Sequence, residues 1–153
     1  MNDDLARRVA RLEDEREVLA TLYRYGHTID ARQDDSWLEL FTADGVYDIR
    51  YEPSAQSSTD RPHRRHVGAA ELAEFITTHS RAYAHHHKHL LIEPLIEIDG
   101  TDAAVTSYFL RIDGIGGERV IYAFGRYVDR LTKGGDGRWR FASRIVRVES
   151  SLS

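Results

Sequence analysis

Apolar residues recur every three or four positions from Leu5 to Ile29 (Leu5, Val9, Leu12, Leu19, Leu22 or Tyr23, Gly26, Ile29), the period of one long amphipathic helix. Asp30 falls on or beside that stripe. A carboxylate there needs a hydrogen-bond partner, a proton or water, because burying it bare is too costly. The plainer reading makes Asp30 a cap for the next helix, predicted over Asp34–Phe41. After a turn at Thr42–Gly45 the period shifts to two. In VYDIRY, Tyr47, Ile49 and Tyr51 share one strand face, and Val46, Asp48 and Arg50 the other. The polar, proline-containing stretch Glu52–His66 reads as a loop and a candidate lid. Gly68 opens a third helix to Tyr83, with Leu72, Phe75 or Ile76, and His79 at helical spacing. Four strands with turns at Asp99–Asp102, Gly114–Gly117 and Gly134–Gly137 complete the chain. In the last, Trp139, Phe141, Ser143 and Ile145 alternate against Arg138, Arg140, Ala142 and Arg144. Helices first and an antiparallel meander afterwards predict one α+β domain over residues 1–153, its curved, mostly antiparallel mixed sheet wrapped over the helices.

Composition narrows the chemistry. A chain of 153 residues suits one core, and a formal charge of −4 gives no reason to expect nucleic acid. Cysteine is absent, which excludes disulfides, thiolate catalysis and zinc–cysteine sites. The charged start MNDDLARRVARLEDERE matches neither a signal peptide nor a membrane segment, so a cytoplasmic protein is expected. Apolar residues on both faces of the later strands predict self-association.

AHHHKHLL places four histidines within five positions. Alternation puts His85, His87 and His89 on one side and His86 on the other. Leu91 follows His89 on its face, so the inward run is expected to begin at His89, leaving His85, His86 and His87 at the wetter strand entrance without a role. A neutral imidazole suits proton abstraction near pH 7 when a partner fixes its tautomer, and Asp30 is a candidate partner. His87-x-His89-x-x-x-Glu93 also fits the spacing of a first cupin metal motif. No histidine follows His89 and no second glycine-rich motif appears, so no metal is expected. The chain carries eight tyrosines, and phenols near a cavity stabilise an enolate by donating to it. Tyr25 and Tyr23 lie five and seven residues before Asp30, and helix geometry does not choose between them. Tyr47, Tyr51, Tyr108, Tyr122 and Tyr127 are strand candidates, of which Tyr47 and Tyr108, with Tyr23, are the expected substrate contacts.

The stretches YRYGHTID, FTADGVYDI, KHLLIEPLIEIDGTDA, GRYVDRL and GRWRFASRIV resemble the SnoaL-like branch of the NTF2-like superfamily, which includes scytalone dehydratase, bile-acid 7α-dehydratase and polyketide cyclases. The resemblance implies a cone-shaped barrel around a largely apolar pocket, assembled as a homodimer or homotrimer and working without a cofactor. By position, Tyr25, Asp30 and His89 match the tyrosine, aspartate and histidine of the dehydratase-type site. Ile29 stands where scytalone dehydratase has a tyrosine, and Asp113 and Gly114 where it has a second histidine. The spacing of Tyr25 and Asp30 is closer to the bile-acid enzyme, favouring a bulky alicyclic ligand. The expectation is a cofactor-independent lyase or isomerase for a hydrophobic cyclic ketone or enone: His89 as base, Asp30 orienting it, Tyr25 with Tyr47 donating to the enolate oxygen. The alternatives are a non-catalytic subunit of the ring-hydroxylating dioxygenase type, a small-molecule binding protein, and a cupin-like metal protein.

Overall fold

The computed structural model describes residues 3–53, 62–82 and 85–152. Three helices, α1 (Asp3–Asp30), α2 (Asp34–Leu38) and α3 (Gly68–Ala82), lie against one face of a sheet. Its strands are β1 (Phe41–Tyr51), β2 (Arg64–Val67), β3 (His87–Asp99), β4 (Asp102–Ile115), β5 (Glu118–Lys133) and β6 (Trp139–Ser151), in the order β2-β1-β6-β5-β4-β3. Every pairing is antiparallel except β1 with β6. The α+β class and the mixed sheet are as the pattern implies, but β2 and β3 remain edges, so the sheet does not close into a barrel.

Side-chain volume and register explain where the elements depart from the periodic reading. Only the second half of α1 is buried, from Val18 through Leu22 and Tyr25 to Ile29, whereas Leu5, Val9 and Leu12 are exposed. The apolar stripe is longer than the surface available to cover it. Midway along α1, Asp14 accepts from Lys133 Nζ at 2.6 Å and Trp139 Nε1 at 3.0 Å, tying the helix to the β5–β6 turn. The helix expected to Phe41 stops at Leu38, and Phe41 already begins β1. The expected turn at Thr42–Gly45 is a register shift inside that strand, between Phe41 and Val46. A Cβ at Gly45 would lie 3.0 Å from the Thr42 carbonyl oxygen, so the bulge needs glycine there. The end of the expected loop Glu52–His66 belongs to a strand, Arg64–Val67, paired with β1, and residues 54–61 of the candidate lid lie outside the described residues.

The core joins Leu22, Ile29, Trp37, Phe41, Leu72, Ile76 and Phe141. On the outer face of the sheet, Leu90, Ile92, Tyr108, Ile121 and Phe124 are exposed. Among the described residues no helix is long and apolar enough to cross a membrane.

Candidate active site

Between the concave face of the sheet and α3 lies a cavity of about 440 Å³. Its wall is largely apolar and aromatic, with Ile49, Phe75, Phe109, Tyr127, Val146 and Val148, and His89, Tyr25 and Tyr47 open onto it.

Asp30 closes α1 one helical turn after Gly26. A Cβ at Gly26 would stand 2.9 Å from the His89 carbonyl oxygen, so glycine lets α1 settle directly on β3. That approach delivers the Asp30 carboxylate to His89 twice. The His89 backbone N–H donates to its oxygens at 3.2 and 3.1 Å, and His89 Nδ1 lies 2.7 Å from Oδ1. A carboxylate only accepts, so Nδ1 carries the proton and Nε2 is left as the acceptor. Burial pushes the His89 imidazole below the ordinary histidine value, and the hydrogen bond to Asp30 only partly opposes this. The ring is therefore a neutral base at pH 7.

Tyr25 is 2% exposed, and its hydroxyl lies 2.7 Å from that of Tyr47. Tyr23, on the adjoining helix flank, is 52% exposed and misses the cavity, lining instead a cleft of about 370 Å³ between α1 and β3 that shares Tyr25, His89 and Tyr127 with it. Tyr108 is also misplaced by the sequence reading. It is 47% exposed on the outer face, because Ser107, Phe109, Arg111 and Asp113 take the inward positions of β4. Two adjacent aromatics on a strand cannot both face inward, and nothing local decides which does. Tyr51, Tyr122 and Tyr127 do line the cavity.

The histidine cluster also departs from expectation. The inward run begins at His87, which is 3% exposed, rather than at His89. Its Nδ1 bonds the His85 carbonyl at 3.1 Å, and its Nε2 lies 3.7 Å from Asp30 Oδ1. His85 Nε2 reaches Asp113 at 2.8 Å. His86 alone is exposed on the far side. The position of Leu91 does not bound the inward run, because acids from α1 and β4 stand beside His87 and His85. His79, from α3, faces His87 and His89 with ring centroids 5.7 and 6.1 Å away, and burial pushes it down to about 3. Asp30, His87 and His89 each bring a donor atom within 4.8 Å of the others, the set a metal would use. Glu93, the acid of the cupin spacing, is instead exposed with a left-handed φ of 49° beside a register shift in β3.

Two buried ion pairs surround these groups. Arg111 grips Asp113 with bonds of 2.8 and 2.7 Å. Arg144, fully buried, grips Asp129 in the same two-bond geometry, 2.8 and 2.7 Å, while its guanidinium lies 4.1 Å from the Tyr25 ring centroid and 4.0 Å from that of Tyr127. Burial works against the Arg144 charge, but Asp129 overrides it and holds the guanidinium above its ordinary value. Uniform alternation had put Arg144 opposite Phe141. The register shifts where Leu131 pairs with Phe141 and Arg130 with Ser143, and the extra residue, Ala142, turns Arg144 inward. Arg111-x-Asp113 carried a usable signal, since opposite charges two apart share a strand face. The Ala142 bulge carried none.

A model of the SnoaL-like domain matches residues 10–145. The chain belongs to the SnoaL-like family. Among solved structures, an NTF2-like protein with a cystatin-like fold from Novosphingobium aromaticivorans is 21% identical, with a TM-score of 0.83 over 100% of this chain and 93% of that one. The beta subunit of a candidate aromatic-ring-hydroxylating dioxygenase from that organism is 21% identical, with a TM-score of 0.75 over 94% of each chain. A candidate scytalone dehydratase, again from N. aromaticivorans, is 20% identical, with a TM-score of 0.72 over 93% of this chain and 88% of that one. At these identities the likeness shows the fold. Among proteins of curated function, none matches the chain.

Proposed function

We propose that this SnoaL-like protein is a cofactor-independent lyase or isomerase that removes a proton beside the carbonyl of a hydrophobic cyclic ketone or enone. The observation that carries the reading is the 2.7 Å contact between Asp30 and His89 Nδ1 on a ring that opens into an apolar cavity beside the Tyr25–Tyr47 pair. His89 Nε2 takes the proton, and Asp30 stabilises the imidazolium that forms. The phenol of Tyr25, polarised by Tyr47, donates to the developing enolate oxygen. Loss of a β-hydroxyl then gives a dehydratase, reprotonation elsewhere an isomerase, and attack on a second carbonyl a cyclase. Deuterium exchange beside the carbonyl, followed by NMR over a panel of steroid-like, terpenoid and polyketide ketones, tests the common first step. Absence of enzyme-dependent exchange across the panel counts against it.

Tyr25→Phe is expected to lower kcat by about ten- to a thousandfold, the scale of one oxyanion donor, with KM changed far less. Steady-state kinetics on the first substrate to emerge check this. The acid limb of kcat/KM has a definite sign. Protonation of His89 removes the base, so the rate rises with pH through the His89 pKa and then levels. Because burial depresses that pKa, the midpoint is expected below the ordinary value of 6.5. An acid limb centred above pH 7 argues for a different base.

The dioxygenase subunit among the structural neighbours supports a second reading, a non-catalytic subunit. Co-purification with a larger iron–sulfur oxygenase chain favours it. Self-association is proposed through the outer face of the sheet, where Leu90, Ile92, Tyr108 and Phe124 are exposed on paired strands. Light scattering at micromolar concentration should give at least twice the chain mass of 17.5 kDa. A monomer shows that these side chains are simply solvated.

A further inference from the structure

Among the described residues of the cavity wall, the charged side chains are Arg64 and Arg111, and there is no Asp or Glu. His79 and His89 add polar but uncharged rings. Acids nevertheless outnumber bases in the chain, 25 against 21. The two arginines differ. Arg111 is committed to Asp113 by its two short bonds. Arg64 stands on β2 opposite Ile49, with His66 opposite Tyr47, so it shares the inward face of that ribbon. Its neighbour Arg65 turns outward, 3.8 Å from Asp48. Among the described residues, Arg64 takes part in no ion pair or side-chain hydrogen bond. Its charge bears on Tyr47, His66 and His79, opposing protonation of both imidazoles.

We propose that Arg64 anchors a carboxylate on the substrate, so that the ligand is an apolar cyclic ketone carrying one carboxylate arm. This rests on the reading of the cavity as a substrate site. A guanidinium meets a carboxylate through two parallel N–H bonds, which fixes the direction of the arm as well as its presence. The ring then lies against Phe75, Phe109 and Tyr127, where a charged group would find no partner. Arg64 is exposed at the cavity rim, so it keeps its own hydration until the anion replaces it. The absence of acids from the described wall removes the repulsion that would otherwise oppose such a ligand.

Isothermal titration calorimetry with a tetralone bearing a carboxymethyl arm, and with its methyl ester, tests the proposal. Wild-type protein should bind the acid at least about tenfold tighter than the ester, and added salt should weaken only the acid. Arg64→Met should bring the two within about threefold by lowering affinity for the acid alone, and Arg64→Lys should restore part of the difference. Equal binding of acid and ester, or an undiminished preference in Arg64→Met, overturns the carboxylate site and leaves the cavity reading standing. Binding of neither overturns both. The same titration in Asp30→Asn separates the two further. The preference for the acid should survive there, because it is read from heat and owes nothing to turnover.

Discussion

Replacing His89 with alanine is expected to lower kcat by about a hundred- to ten-thousandfold, the range that a positioned general base supplies. Asp30→Asn should come close to that loss with folding preserved. The amide oxygen still accepts from His89 Nδ1 and from the backbone N–H that now meet the carboxylate. What it lacks is the negative charge that favours imidazolium over imidazole once the substrate proton has moved. The double variant should therefore be little worse than His89→Ala alone, since Asp30 acts on the reaction through that ring. Deuterium exchange and turnover are the two readouts, with circular dichroism confirming the fold. Losses that multiply would mean that Asp30 works independently of His89. Exchange and turnover intact in both single variants would remove the dyad and leave a small-molecule binding protein.

The largest expected effect on stability comes from a residue that touches no substrate. Asp129→Asn leaves Arg144 charged and fully buried among the rings of Tyr25, Tyr127 and Phe141, with no compensating anion. Breaking one side of such a pair costs about 3–5 kcal/mol. In a domain of this size that is a fall in Tm of roughly 6–20 °C. Arg144→Met removes the other side and should cost less, because burial already raises the Asp129 carboxyl above its ordinary value, so the orphaned acid sheds its charge by taking up a proton, which a buried guanidinium cannot do in reverse. The asymmetry is the check: thermal unfolding should rank Asp129→Asn clearly below Arg144→Met. Equal losses would mean that packing, not charge, dominates at that position. Both changes should also disturb Tyr25, whose ring Arg144 covers, so a fall in activity beyond the fall in folded fraction is expected.

Much of the scaffold was legible because it follows from short-range periodicity. The 3.6-residue stripe over the second half of α1, the alternation along β3 to β6 and the glycines of the turns are local properties, and they give an α+β domain with its helices ahead of its strands. Asp30 and His89 were legible for a related reason. Each interrupts an apolar face with a group that must have a partner, and each supplies what the other lacks. The outward placement of Tyr108, the inward placement of His87 and the burial of Arg144 were not legible in this way. Tyr108 and Arg144 turn on strand parity, which one extra residue inverts, and the bulge at Ala142 exists only because β5 and β6 pair across it. His87 keeps the parity of His89, and what buries it is the approach of Asp30 from α1 and His79 from α3.

The sequence by itself therefore determined the class of fold, the family, and the acid and imidazole from which the proposed chemistry is built. Tertiary structure decided which of two tyrosines on α1 meets the cavity, that β1 runs parallel to β6, and that Asp113 and Asp129 sit where buried arginines need them. The physical reason is the range of the forces involved. Periodicity is enforced by neighbours along the chain. The pairing of a buried charge is enforced by whichever distant strand carries the opposite charge to within about 3 Å, the reach of a hydrogen bond.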